Sequence, residues 1–231
     1  MDAKRGYVPK DERDFSASAV EKLRKASKHV CYLINEGYDL KSASTFVGNH
    51  YALSERQRLA LVRSVATEEQ LSIRRSKEKT SALGEEVWVD GFNTIITLEV
   101  MLSDSLLFDC MDGTIRDLAA LRGTYRIIPE TKEAVCILLE ALEKMDVSSV
   151  HILLDEPVSN SGRLKALIAD LGVGKNFSLD IQLLKDVDRT LWQKSNVITS
   201  DSIILDHCIS WVNLTRAFAE GRAAKTLRVW E

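Results

Sequence analysis

From residue 15 onward the apolar positions recur at helical spacing. Val20, Leu23, Ala26, Val30, Leu33 and Ile34 fall on one stripe, with Asp14 or Ser16 placed to cap it and Gly37 to end it. The spacing predicts a helix over 15–37. Shorter helices are predicted over 40–47, stopped by Gly48, and over 54–66, capped by Ser54. A fourth, over 67–79, is polar and charged. No convincing strand pattern interrupts this stretch. Residues 1–81 are therefore expected to form a small all-α domain.

The pattern changes after Ala82-Leu83-Gly84. Short apolar runs at 86–90, 106–109, 149–155, 179–184, 196–200 and 227–230 read as strands. Helical patterns over 131–145, 162–171 and 201–208 alternate with them. Such alternation predicts an α/β domain over 84–231, with a mostly parallel sheet flanked by helices on both faces.

Composition adds bounds. The chain has 231 residues, 45% hydrophobic and 28% charged, which is ordinary globular usage and enough to bury a core without staples. The four cysteines, Cys31, Cys110, Cys136 and Cys208, are far apart and form no CxxC pair, so reduced thiols in a cytoplasmic protein are expected rather than zinc. Met1–Arg13 is charged and lacks the apolar run of a secretory leader, and no stretch is long enough for a membrane span. The net charge of −3 conceals an asymmetry. Residues 1–81 carry 16 Lys and Arg against 11 Asp and Glu, and the remainder carries 15 against 23. A basic head on an acidic body points to a head that meets an anion and a body that holds cations.

The chemistry lies at the strand ends. The run at 86–90 ends in Asp90 and continues Gly91-Phe92-Asn93. The run at 149–155 ends in Asp155. The run at 196–200 leads to Asp201, with Asp206 one helical turn later. In an open parallel sheet, ligands bind beyond the carboxyl ends of the strands. Carboxylates converging there repel one another unless a cation sits between them, and an all-oxygen set favours Mg²⁺ or Mn²⁺. A hard cation with open water positions would polarise phosphate oxygens and activate water. The competing reading is that each aspartate caps a helix or a turn.

Val89-Asp90-Gly91-Phe92-Asn93 and Ile198-Thr199-Ser200-Asp201 resemble the opening and late motifs of PIN-like nucleases of the NYN type, over roughly residues 84–220. The whole chain is also similar to an uncharacterised prokaryotic family. The PIN-like resemblance implies a metal-dependent ribonuclease site. Asp90 would be the first ligand, Asn93 would orient substrate or water, Asp201 would be a later ligand and Asp206 a supporting acid. Asp155 would take the place of a central acid, although its loop departs from the PIN pattern. The resemblance also admits a homodimer.

In that loop Ser159, Ser161 and Gly162 precede a helix carrying Arg163, a candidate phosphate seat if the hydroxyls do not simply cap the helix. In a second acid group Asp112 would join the metal site as an additional acid and Arg116 would contact phosphate, although Asp112-Gly113 reads first as a turn. In the head, residues 40–66 resemble a helix-turn-helix with Arg56, Arg58 and Arg63 toward nucleic acid and Gln57 toward a base edge. The alternative is a bundle that packs on the α/β domain or on a second subunit. Three activities follow as expectations: an RNA-hydrolysing nuclease, a non-catalytic nucleic-acid or protein-binding module, and a phosphatase using the Ser159–Gly162 loop.

Overall fold

The computed structural model describes residues 4–119 and 123–231. The first three residues of the charged Met1–Arg13 stretch thus lie outside it. The chain opens with α1 (Asp11–Asp14), α2 (Ala17–Asn35), α3 (Leu40–His50), α4 (Glu55–Ser64) and α5 (Glu68–Lys77). The predicted stripe of α2 is its buried face. Ser54 with Gln57, and Thr67 with Gln70, form reciprocal capping boxes that start α4 and α5.

Gly48 does not stop α3 but lies inside it. A Cβ there would stand 2.8 Å from Cζ of Arg58. The bare glycine lets that guanidinium lie against α3. There it donates to the carbonyls of Leu53 and Thr45 and to Oδ1 of Asn49. Arg58 thus ties the body of α3 to the turn at Leu53 that leads into α4.

The helical region is not a self-contained bundle. Leu23, Val30 and Leu61 share one apolar cluster with Phe108, Leu118 and Val229. Nor does it stay all-α to residue 81. After α5 the chain forms β1 (Glu78–Lys79), which joins the main sheet.

Then follow β2 (Glu86–Asp90), α6 (Gly91–Leu102), β3 (Leu107–Asp109), β4 (Ile115–Asp117), α7 (Pro129–Lys144), β5 (Ser149–Asp155), α8 (Ser161–Leu171), β6 (Ser178–Leu184), α9 (Val187–Leu191), β7 (Val197–Ile198), α10 (Ser202–His207), β8 (Trp211–Val212), α11 (Leu214–Gly221) and β9 (Thr226–Leu227). The main sheet has six strands in the order β1-β8-β7-β2-β5-β6, and every pairing is parallel. The runs expected at 106–109 and 227–230 do not enter it. They supply β3 and β9 of a separate three-stranded sheet, β4-β3-β9.

One face of the main sheet presents Val87, Val89, Val150, Ile152 and Ile198 to α6, α7, α8 and α11. The other presents Leu153, Val197 and Trp211 to the short helices α9 and α10. Each fully buried Leu or Val contributes roughly 1.5–3 kcal/mol. Helix α6 is buried nearly all round, from Gly91 to Met101, and so shows no amphipathic stripe. Its start is forced close to β5. A Cβ on Gly91 would lie 2.6 Å from Cδ2 of Leu154 and 2.8 Å from the carbonyl oxygen of Leu153. No helix among the described residues is long and apolar enough to cross a membrane.

Candidate functional site

The chain runs from β2 outward to β5 and β6, then returns to β7 on the other side of β2. The reversal point is therefore between β2 and β7, where a parallel sheet opens a crevice at its carboxyl end. Asp90 ends β2, and Thr199, Ser200 and Asp201 follow β7 directly.

These residues are bonded together. Thr199 donates its hydroxyl to Oδ2 of Asp90 at 2.8 Å and accepts the N–H of Asp201 at 3.0 Å. Oδ1 of Asn93 accepts the N–H of Ser200 at 2.8 Å and its hydroxyl at 3.0 Å. The amide oxygen of Asn93 is thereby fixed, and its NH₂ is left as the donor end. Asp201 caps α10 by accepting from Ile203 and Ile204 N–H groups. Asp90 accepts a long bond of 3.4 Å from Asn93 N–H at the start of α6. The aspartates that cap α6 and α10 thus also stand at the crevice.

Asp155 leaves the sheet on the same face as Asp90. Leu153 is the register partner of Asp90, and Asp155 lies two residues further along β5. Asp188 of α9 joins this face. Asp90 is buried, and burial pushes its carboxyl up to about 8, opposed by the Thr199 bond and reinforced by the charges of Asp201, Asp188 and Asp155. Asp155 is raised by burial and by Asp186. Asp188 is raised by burial and by Asp201, Asp155 and Asp186.

Every other buried acid has an arginine. Asp11 pairs with Arg56, Asp14 with Arg13, Glu99 with Arg5 and Asp117 with Arg63. Asp109 pairs with Arg216 and Arg228, and the side chain of Asp112 with Arg74 and Arg116. Among the described residues, Asp90 alone is a buried acid without a basic partner. Its donor set of carboxylates, Asn93 and hydroxyls suits a hard divalent cation. As the side chains stand, however, no three His, Cys, Asp or Glu among the described residues are poised to hold one ion. Like charges felt at Asp90 and an ion-ready geometry are different things, and only the first is present.

Several predicted site residues are engaged elsewhere. Asp206 is taken up by the helical region. Its carboxylate accepts from Arg74 at 2.6 and 3.0 Å and from Gln70 at 3.1 Å. Asp112 lies under Arg74 and Arg116, which together with Thr114 outweigh its burial and hold its carboxyl below the usual range. Arg116 is buried, and each of its three nitrogens already donates within the protein, to the Ser200 and Arg63 carbonyls and to Asp112.

The candidate phosphate seat is closed too. Ser159 Oγ donates to the Tyr125 carbonyl and accepts its N–H, and Ser161 Oγ donates to the Glu156 carbonyl. Gly162 and Arg163 are exposed.

In the head, Arg56 is held by Asp11 and the Gly6 and Leu118 carbonyls, and Arg58 by α3. Gln57 is buried in its capping box and donates to the Asp14 carbonyl. A groove-reading helix needs these side chains outside. The basic surplus of the head is instead matched to acids of the body, as in Arg74 with Asp112 and Asp206.

The sequence reading left Thr199 and Ser200 out of the site, although both stood in the quoted motif. It missed Arg74 as the head's buried link to the body. Its one local signal was an arginine in a polar helix, which looks the same whether solvated or paired.

Residues 79–217 match the family described as "Domain of unknown function (DUF5616)". The chain belongs to this family. Ahead of the DUF5616 domain, residues 22–77 match "Protein of unknown function (DUF434)", so the two matches meet where α5 passes into β1. The chain is 33% identical over 185 residues to "Uncharacterized protein MJ0935" of Methanocaldococcus jannaschii, covering 79% of this chain and 88% of the relative. No solved structure matches the DUF5616 chain.

Proposed function

We propose that the DUF5616 domain is a divalent-metal-dependent nuclease that hydrolyses RNA phosphodiester bonds. One observation carries this reading. Asp90 is buried at the reversal point of a parallel sheet with no basic partner among the described residues, while Asp201, Asp188 and Asp155 add negative charge around it. A buried carboxylate in that setting either keeps its proton or binds a cation. Asp90, Asp201 and Asp155 would hold Mg²⁺ or Mn²⁺, which when bound supplies an activated water and a polarised phosphate. Thr199 fixes the rotamer of Asp90, and the Asn93 amide is left to donate to substrate or water.

The test is cleavage of single-stranded RNA by the purified chain with Mn²⁺. Asp90→Asn and Asp201→Asn should each abolish it. Cleavage that survives both substitutions would overturn the assignment. A second reading, a binding module without turnover, is favoured by the absence of three acids poised for one ion among the described residues. It predicts RNA binding that a chelator leaves unchanged, with no cleavage products.

A further inference from the structure

The helical region and the carboxyl pole of the sheet face each other across a cleft of about 700 Å³. Leu40, Val62 and Arg63 line it from the head, and Asn93, Ser200 and Asp201 from the opposite side. The Asn93–Asp201 cluster therefore opens toward the head rather than into free solvent. The size falls within the range of roughly 300–1,000 Å³ typical of single-ligand sites.

Three arginines reach this cleft: Arg63, Arg74 and Arg116. Arg74 and Arg116 keep side-chain exposures of only 3% and 8%, and every nitrogen of each already donates to Asp206, Asp112 or a backbone carbonyl. Arg63 differs. Its side chain is 30% exposed, and one terminal nitrogen carries its contacts to the Asp117 carbonyl and, at 3.6 Å, to the Asp117 carboxylate. Among the described residues its Nε and other terminal nitrogen donate to no protein acceptor. The acids on the cleft wall do not cancel it equally. Asp117 is also tied to Thr97 and the Ala119 N–H, and Asp206 to Arg74. Leu40, Val62 and the 52% exposed Ile203 add apolar surface against which a base can lie.

We propose that Arg63, carried by the helical region, is a substrate ligand of the site on the α/β domain. Its guanidinium contacts a phosphate of a single-stranded polynucleotide lying in the cleft. This rests on the nuclease reading for the identity of the ligand, but not for its test. The head is then one wall of the substrate site and not a separate groove-reading module.

The experiment measures binding of a fluorescein-labelled single-stranded RNA oligonucleotide to the full chain in chelator, where turnover plays no part. Arg63→Ala should weaken binding about tenfold, the scale of one charge-assisted hydrogen bond. It should also flatten the salt dependence by about 0.7 in log–log slope. Arg63→Lys, which keeps a point charge, should recover part of the loss. Lys132→Ala, one positive charge removed from exposed α7 outside the cleft, should bind as the parent chain does.

Arg63→Ala binding with unchanged affinity and slope overturns the proposal, as does an equal loss in Lys132→Ala. If Arg63→Ala unfolds, the decision passes to Arg63→Lys and Arg63→Gln, and equal affinities there overturn it. Cleavage by the parent chain with Arg63-independent binding sinks this inference alone. Arg63-dependent binding without Mn²⁺-dependent cleavage sinks the nuclease reading alone.

Discussion

Thr199 donates its hydroxyl to Oδ2 of Asp90 at 2.8 Å, across 109 positions of sequence. A hydroxyl has one proton, so the 3.4 Å approach of the same oxygen to Oδ1 of Asn93 is not a second donated bond. The bond fixes one carboxylate oxygen and leaves the other with only the long contact from Asn93 N–H. The acid of β2 and the turn after β7 thus move as one unit.

Thr199→Val keeps the shape and removes the proton. Leaving Oδ2 of Asp90 buried without its donor should cost about 1–3 kcal/mol in urea denaturation. It should also raise the carboxyl further, since the Thr199 bond is what lowers it. Thr199→Ser should restore most of both. A valine variant as stable as the parent would show that the bond does not matter.

The titration of Asp90 gives stability a pH slope of definite sign. Its carboxyl lies near 8 in the folded chain against an ordinary value of 3.8. Between these values the unfolded chain has lost the proton that the folded chain retains, so this group's contribution falls as pH rises from about 4 to about 8, then levels off. Asp90→Asn should match the parent near pH 4 and exceed it by several kcal/mol near pH 8. Mn²⁺ should narrow that gap at pH 8 by stabilising the parent alone. Parallel stability curves for the two proteins would contradict the assignment.

Arg74 is the buried cation between Asp112 of the body and Asp206 of α10, and its carbonyl accepts the indole N–H of Trp211 at 2.8 Å. Arg74→Ala should cost about 3–5 kcal/mol, because it strands the Asp206 carboxylate and takes one of two arginines from buried Asp112. Asp206→Asn in the Arg74→Ala background should recover part of the loss. A thermal midpoint unmoved by Arg74→Ala would place the union of head and body elsewhere.

Gly91 is required by contact, not by backbone angle. Gly91→Ala should cost about 1–3 kcal/mol by overpacking α6 against β5. If the chain is the proposed nuclease, the same change should lower RNA cleavage more than denaturation alone explains, because Asp90 is the preceding residue. An alanine variant with parental stability and RNA turnover would show that β5 yields without disturbing the site.

Much of the fold was legible because its elements carry local signals. The stripe of α2, the caps Ser54 and Thr67, and the apolar run of β5 each depend on residues a few positions apart. Helix α6 was not legible, since a helix buried on all sides has no polar face to set its period. Strands β1 and β8 are two residues each, too short to show alternation, whereas the equally short β7 was legible within the apolar run at 196–200. Of the site, Asp90, Asn93 and Asp201 could be picked out because each ends a strand run or follows one.

By itself the sequence determined that a helical region precedes a parallel α/β domain, and which acids stand at the carboxyl ends of its strands. Hydrophobic period and strand-end position are properties of neighbouring residues. Only the tertiary structure decided which charges are free. Asp112, Asp206 and Arg116 look as available in the chain as Asp90, Asp201 and Arg63. Their pairing is set by contacts such as Arg74 with Asp206, 132 positions away, and a buried charge takes whichever opposite charge the packing brings to it.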